Sequence, residues 1–331
     1  FLTRHFTGAV FFLLLLFFAG LLGKEISNFY GVAATIVLSI MLTPRLFGQA
    51  FGNLKDIPFA AGYVAGIYFI IKYLKQFPKI SWKTVIGLGL AIAFTCSVRI
   101  GGLILFAYLG LGVVAYFLSQ PNSYKYTDLT KSGYVRLTGQ WLVIVLLGYF
   151  LGLLFWPYAL QDVVRHPLES LSVMEHYKII IKQLFEGRVI WSSSLPWYYL
   201  IKWIIIATPG FILLGLLCFI AFLSKKFTKP ISEQLRIELF VFFTLLFPIV
   251  YVIAIGSNLY SGIRQMLFVV PVMVVLAVCG LFDLLHSNTK KWVKIPGGIL
   301  FFLLMVLPFR HQLKTFPVDY VYFNALSGGN K

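Results

Sequence analysis

The stretch from Phe6 to Leu22, FTGAVFFLLLLFFAGLL, contains no charged side chain and a single hydroxyl group. An α-helix crosses a hydrocarbon core of about 30 Å with about 20 predominantly apolar residues. A helix is also one of the few structures that satisfies its backbone hydrogen bonds inside lipid. This stretch therefore predicts a transmembrane helix.

Nine further stretches share this apolar character; they lie at 28–43, 58–74, 84–98, 102–118, 139–157, 200–222, 238–256, 264–285 and 295–309. None of them alternates with a period of two, as the strands of a membrane β-barrel do. The sequence therefore predicts an all-α polytopic membrane protein with about ten transmembrane helices, forming one domain over residues 1–331.

The composition excludes the common soluble classes. The chain is 60% hydrophobic and 12% charged, whereas an average soluble domain carries roughly 25% charged residues. It has 28 Lys and Arg against 11 Asp and Glu, a formal charge of +17. On so apolar a chain, this excess indicates basic loops that set the topology and contact anionic lipid, and not a nucleic-acid partner.

The distribution of basic residues predicts the orientation. Fifteen of the 28 lie in five short loops on one side of the predicted spans, and the positive-inside rule places that side in the cytoplasm. Both ends then lie outside, so we expect an upstream helix and outer loop to be missing before Phe1. The outer regions are 44–57, 99–102, the long loop 158–199, 257–263 and 310–331.

The long loop contains an amphipathic pattern, since apolar residues recur every three or four positions at Leu168, Leu171, Met174, Tyr177, Ile181 and Leu184. Such spacing predicts a helix, here one that lies at the membrane interface. Polar His166 precedes the pattern, and Trp197 and Tyr198 follow it. The two aromatic residues fit either an interfacial belt or a platform for a sugar ring.

The first outer region carries two cations, an amide and its only carboxylate, at Arg45, Lys55, Asn53 and Asp56. One interpretation is a set of interfacial anchors with local charge balance. The other is a site in which an acid or base lies beside phosphate-binding cations.

Two further arginines lie at predicted outer helix ends. Arg99 falls between two adjoining spans and precedes Gly101 and Gly102; it fits a snorkelling anchor, or a place where glycines let a ligand approach the backbone. Arg264 follows Tyr260 and opens a span, where its charge opposes the helix dipole. A bound anion would reverse that penalty, so together these residues predict a site for an anionic headgroup.

The order of these motifs resembles the C-class (GT-C) integral-membrane glycosyltransferases, in the group of the dolichyl-phosphate-mannose–protein mannosyltransferases. The resemblance covers essentially the whole chain. It is carried by TPRLFGQAFGNLKDIPFA from Thr43, SVRIGG from Ser97, LPWYYLIKWIIIATPG from Leu195, YSGIRQMLFVVP from Tyr260 and the tail DYVYFNALSGG from Asp319.

The resemblance implies an inverting hexosyltransferase of the bacterial plasma membrane that takes a sugar from a polyprenyl phosphate outside the cytoplasm. Asp56 matches the acidic position of the second outer loop and is the candidate catalytic residue. The candidate donor phosphate-binding residues are Arg264, Arg99, Lys55 and Arg45. The weaker substrate-binding candidates are Asn53, Tyr260, His166, Trp197 and Tyr198. The family's main acidic motif lies before Phe1, so we expect this fragment to lack it and to be inactive by itself.

Two other functions fit the sequence: a multispan transporter or lipid flippase, and a non-catalytic subunit that binds partners through its outer loop. The sequence indicates no cofactor, is silent on metal dependence, and identifies neither the sugar nor the acceptor.

Overall fold

The computed structural model describes residues 2–118, 131–175, 180–226, 232–286, 291–316 and 318–329. In these ranges it has fourteen α-helices and one two-stranded sheet. The elements are α1 (Leu2–Ser27), α2 (Tyr30–Met41), α3 (Pro44–Ala50), α4 (Asp56–Gln76), α5 (Trp82–Val98), α6 (Ile104–Leu118), α7 (Lys131–Val145), α8 (Pro157–Gln161), α9 (Arg165–Glu175), β1 (Lys182–Phe185), β2 (Arg188–Trp191), α10 (Tyr199–Ala207), α11 (Gly210–Lys226), α12 (Glu233–Ala254), α13 (Val269–His286) and α14 (Lys291–Thr315).

The helices confirm an all-α polytopic membrane protein. In the described ranges, seven helical segments are long and apolar enough to cross a membrane, and two bent pairs, α2–α3 and α10–α11, raise the number to nine. The shorter α5, with 17 residues, is also apolar. Each of these segments overlaps one of the ten predicted stretches, but α13 begins at Val269 and not at Arg264, and the predicted stretch 200–222 is divided by the 113° bend between α10 and α11.

The long loop differs from its prediction. Helix α9 ends at Glu175, and Tyr177 lies outside the described residues. Leu184 lies in a β-hairpin, paired with Val189, and Ile181 directly precedes it. Its turn residues Glu186 and Gly187 have left-handed φ angles of 53° and 74°, as in the tight turns that suit hairpins. The predicted amphipathic helix is thus present as α9, but its extension through Leu184 is wrong, because residues 182–185 form a strand that the Glu-Gly turn folds back onto β2.

The chain divides into two compact units, one made of residues 1–60 with 175–331 and the other of residues 61–174. In the first unit, α11 and α13 approach closely at two glycines. A Cβ added at Gly215 would lie 2.5 Å from the carbonyl oxygen of Ala277, and one added at Gly280 would lie 2.4 Å from the backbone nitrogen of Phe219. Small residues at such contacts let membrane helices pack backbone to backbone.

Replacement of Gly280 by alanine is expected to lower the free energy of unfolding by about 1–3 kcal/mol, the usual cost of overpacking. The added methyl group would collide with backbone atoms of α11, which cannot rotate away. Gly110→Ala in α6 is the matched control, because nothing lies within 4 Å of its added Cβ. Thermal unfolding of the purified protein in detergent measures both variants. Equal unfolding temperatures would contradict the close approach of α11 and α13.

The second unit uses glycines in the same way. A Cβ at Gly62 would lie 2.4 Å from the Thr95 hydroxyl oxygen, and one at Gly148 would lie 2.9 Å from the Ile92 side chain. At Gly102 the added Cβ would lie 2.6 Å from the backbone nitrogen of Cys96. Gly102 thus serves contact within the fold, which accounts for this glycine without the ligand approach considered from the sequence.

Candidate functional site

The site begins with a tight turn between α3 and α4. The side-chain oxygen of Asn53 accepts hydrogen bonds from the backbone nitrogens of Lys55, at 3.2 Å, and Asp56, at 2.9 Å. Its amide nitrogen donates to Gln49 at 2.8 Å. Asn side chains commonly stabilise turns by bonding to backbone two or three residues on. Asn53 therefore fixes where α4 begins, and substrate binding by Asn53 stays a prediction.

Asp56 is the first residue of α4, where the helix dipole favours a negative charge. Its side chain is 3% exposed. One carboxylate oxygen, Oδ2, accepts a hydrogen bond from the Asn53 amide at 2.5 Å and another from Arg264 Nε at 3.2 Å. The carboxylate is thus held on one side by its own turn and on the other by a residue 208 positions away.

Arg264 is held by its Nε alone. Its side chain is 51% exposed, and among the described residues the Asp56 carboxylate is its only hydrogen-bond partner. Both terminal nitrogens of the guanidinium are therefore available to an anion. Lys55, the neighbour of Asp56, is exposed, and the described ranges provide no carboxylate partner for its ammonium group. The site combines one buried carboxylate with two accessible cations.

The loop that carries Arg264 is fixed from behind. Its backbone turns through left-handed Ser261 and Gly262, with φ angles of 59° and 66°. The Gly262 nitrogen donates to the Tyr199 hydroxyl at 3.1 Å, and that hydroxyl donates to Gln183 at 2.7 Å. Gln183 in turn donates to the Leu259 carbonyl at 3.0 Å. The hairpin and α10 therefore determine where Arg264 lies.

Gln265 holds the other end of this loop, because its side-chain oxygen accepts from the Tyr260 nitrogen at 3.0 Å. The structure therefore places Tyr260 beside Arg264, as its sequence position requires. A contact of Tyr260 with substrate stays a prediction.

Arg45 holds the C-terminal tail. Its guanidinium donates twice to the Tyr322 carbonyl, from Nε at 3.2 Å and Nη2 at 3.0 Å. The same group lies 5.3 Å from the ring centroid of Trp203 and 5.6 Å from that of Phe323. Trp203 also packs against Gly262, where an added Cβ would lie 3.0 Å from the indole. Trp203 thus contacts both Arg45 and the loop that carries Arg264. Phosphate binding by Arg45 stays a prediction.

Asn324 donates hydrogen bonds to backbone carbonyls at the break between α10 and α11, where the chain bends by 113°. Its side-chain nitrogen donates to the carbonyls of Ile205 at 2.6 Å and Thr208 at 2.8 Å, and its backbone nitrogen donates to Ile206 at 2.9 Å. The last carbonyls of a helix have no partner within the helix. Asn324 supplies those partners and anchors the tail beside the site.

Replacement of Asn324 by alanine is expected to destabilise the protein by about 1–3 kcal/mol, since the buried Thr208 carbonyl would lose its side-chain partner and a buried carbonyl left unsatisfied costs about that much. The matched control is Leu326→Ala, a 78% exposed position in the same tail. Thermal unfolding in detergent should separate the two variants. A normal unfolding temperature for Asn324→Ala would show that the tail contributes nothing to the broken helix.

The remaining candidates fall into two groups. Arg99 and His166 lie in the second unit; Arg99 ends α5, and the His166 ring stacks on Tyr158 with centroids 4.1 Å apart. Trp197 and Tyr198 lie in the first unit, before α10. The Tyr198 hydroxyl donates to Glu186 at 3.3 Å, and a hydrogen bond from Lys202 lowers the pKa of the Glu186 carboxyl.

No group of three or more metal-binding side chains occurs in the described ranges.

Sequence reasoning missed the residues that position the site: Gln183, Tyr199, Trp203 and Asn324. Tyr199 and Trp203 occur in a stretch that carries the family resemblance, but there they resemble an aromatic belt. Nothing in the local pattern marks Gln183 or Asn324, because their partners lie far away in sequence.

Comparisons with known proteins identify one solved structure with this arrangement of helices. No protein-family model and no curated protein matches the chain. The crystal structure of ArnT from Cupriavidus metallidurans bound to undecaprenyl phosphate matches with a TM-score of 0.51 and 16% sequence identity. The match covers 96% of this chain and 59% of the ArnT chain. Over nearly its whole length, the chain therefore shares the fold of ArnT.

Proposed function

We propose that the protein is a GT-C glycosyltransferase that uses a sugar linked to a polyprenyl phosphate. The observation that carries the proposal is the pairing of Arg264 with buried Asp56, which leaves both terminal guanidinium nitrogens of Arg264 for an anion. Exposed Lys55 adds a second cation, in the turn that carries Asp56. With one carboxylate and two cations, the set of Asp56, Lys55 and Arg264 has a net positive charge.

A phosphodiester fits this group chemically. A guanidinium binds phosphate oxygens through two parallel hydrogen bonds, whereas an ammonium group acts as a mobile point charge. Cations already in place where negative charge develops on the leaving phosphate lower the barrier to transfer. Arg264 and Lys55 would act on that leaving group.

Asp56 is better suited to position Arg264 than to accept a proton. With 3% of its side chain exposed and Oδ2 engaged by two donors, it has little surface for an acceptor hydroxyl. Its carboxylate instead fixes the Nε side of the guanidinium and turns the other nitrogens outward from the pair. We therefore propose that Asp56 is a positioning residue, in place of the catalytic role expected from the sequence.

The likeness to ArnT supports a lipid-linked donor, because that crystal structure contains undecaprenyl phosphate. The chain spans 59% of the ArnT chain, so the activity of the whole protein is part of the proposal. The finer proposals are a hexose donor of the mannose type and a site that faces outward at the bacterial plasma membrane. The acceptor is left open.

The test is a transfer assay with purified full-length protein and radiolabelled undecaprenyl-phosphate mannose, with the corresponding glucose and aminoarabinose donors in parallel. Cell-envelope extract supplies acceptors. We expect a labelled product with one donor and free undecaprenyl phosphate in equal amount. Absence of product from all three donors would contradict the proposed glycosyltransferase with these donors.

A transporter or flippase is the second candidate, and two features favour it. Transporters often bind substrate at broken helices, and α2–α3 and α10–α11 are bent by 74° and 113°. Lys226 also lies 2.7 Å from nearly inaccessible Glu238 and 2.8 Å from Asp283, and charges within membrane helices often mark transport pathways. Movement of labelled lipid across proteoliposomes without a glycosylated product would favour this function.

A further inference from the structure

A cavity of about 150 Å³ lies in the first unit, and its lining includes Leu259, five residues before Arg264. One wall is the segment from Ser192 to Leu200, which leads into α10. The other is formed by the end of α12 and by Leu259. Of the residues described above, Trp197, Tyr199 and Leu259 line this cavity, whereas Asp56, Lys55 and Arg264 do not.

The lining combines an aromatic face, hydroxyl groups and a limited apolar surface. Trp197 is 71% exposed at the rim. Ser193 is exposed, and its hydroxyl has no hydrogen-bond partner in the described part of the chain. Ser257 adds a second hydroxyl, and Leu195 and Val252 form apolar wall. Ligand sites generally combine apolar surface with a few polar groups that set orientation.

This mixture matches a sugar ring better than a lipid chain. A pyranose has a face of C–H groups that packs on an aromatic ring and an edge of hydroxyl groups that need hydrogen-bond partners. An acyl or prenyl chain would instead need a continuous apolar lining, and hydroxyl groups interrupt this one. Trp197 offers a broad flat surface with few rotatable bonds, which suits stacking.

The cavity is joined to the candidate anion site by two residues. Tyr199 lines the cavity, and its hydroxyl accepts from the backbone of Gly262, two residues before Arg264. Leu259 also lines the cavity, and its carbonyl is held by Gln183. A ligand here would therefore contact residues that are hydrogen-bonded to the loop that carries Arg264.

We infer that this cavity binds a pyranose ring, with Trp197 stacking on the ring and Ser193 bonding to a hydroxyl group. The inference deepens the proposed function, since the ring would belong to the sugar of the donor or to a glycan acceptor. Its ligand chemistry is the same in both cases, and the measurements below separate them.

The first measurement is independent of transfer. Methyl α-D-mannopyranoside and methyl α-D-glucopyranoside are titrated onto the purified full-length protein in detergent, and contact is detected by saturation-transfer NMR. We expect a signal from wild type that falls at least about fivefold in Trp197→Ala and is largely kept in Trp197→Phe. Trp292→Ala is the matched control, because Trp292 is 72% exposed and lies outside the cavity. An equal loss of signal in Trp292→Ala would overturn the inference.

The second measurement uses steady-state transfer and equilibrium binding of undecaprenyl phosphate. Trp197→Ala should raise one KM at least about 10-fold while undecaprenyl phosphate binding stays unchanged. A raised donor KM assigns the ring to the donor sugar, and a raised acceptor KM assigns it to the acceptor. Unchanged KM values together with no saturation transfer would overturn the inference, as would a parallel loss of undecaprenyl phosphate binding. Saturation transfer that depends on Trp197, in a protein without transfer activity, would support the cavity and reject the proposed function alone.

Discussion

Replacement of Arg264 by alanine is expected to lower kcat/KM for the polyprenyl-phosphate sugar by about 10²–10³-fold, the range found when one preorganised donor to a developing oxyanion is removed. The guanidinium has its Nε on Asp56 and its terminal nitrogens free. Both its charge and its fixed orientation therefore disappear with the side chain. The purified full-length protein and the labelled donor measure the loss.

Arg264→Lys separates charge from geometry. An ammonium group keeps the positive charge but lacks the planar fork that binds phosphate through two bonds, so we expect this variant to retain roughly a tenth of the activity. The matched control is Arg188→Ala, which removes an exposed arginine of β2 outside the site. Its activity should stay within twofold of wild type. Wild-type activity in both Arg264 variants would remove this residue from the donor site.

The transmembrane helices could be predicted because lipid leaves the backbone few choices. A charge-free stretch such as 6–22 must satisfy its own hydrogen bonds, so apolar length alone identifies the helix. The same reasoning does not apply to the outer loop, because water can satisfy the hydrogen bonds of its backbone. There a two-residue turn determines whether the chain forms a helix or a hairpin. Leu184 therefore lies in a hairpin, and the Glu186-Gly187 pair is the local sequence feature that indicates its turn.

The candidate site was predictable only in its parts. Asp56 and Arg264 could each be selected because each lies at the outer end of a predicted span. Their ion pair spans 208 positions, and no pattern within either loop encodes it. The burial of Asp319 in the tail could not be predicted either, because carboxylates are rarely fully buried. This carboxylate has no exposed surface, and no described residue donates a hydrogen bond to it.

Replacement of Asp56 by asparagine is expected to reduce sugar transfer at least about 10²-fold, a loss at the low end for a positioned acid or base. Asparagine keeps the size of the side chain but removes its charge, so the Nε of Arg264 loses its anionic anchor. Transfer by the purified full-length protein measures the effect, and Asp162→Asn is the control, since Asp162 is exposed in the second unit. Transfer within a few-fold of wild type would exclude Asp56 from both roles.

The double variant Asp56→Asn with Arg264→Ala separates the two roles. Residues that act through one another give non-additive effects, whereas independent residues multiply their losses. If Asp56 acts by orienting Arg264, the double variant should be no more than about threefold worse than Arg264→Ala, because the group being oriented is already gone. A general base at Asp56 would instead lower the activity of the double variant by a further factor of about 10² or more. That further loss would reject the positioning role and restore the role of base. Non-additive losses would show that Asp56 and Arg264 act as one functional unit, in agreement with the ion pair between the buried carboxylate and the half-exposed guanidinium.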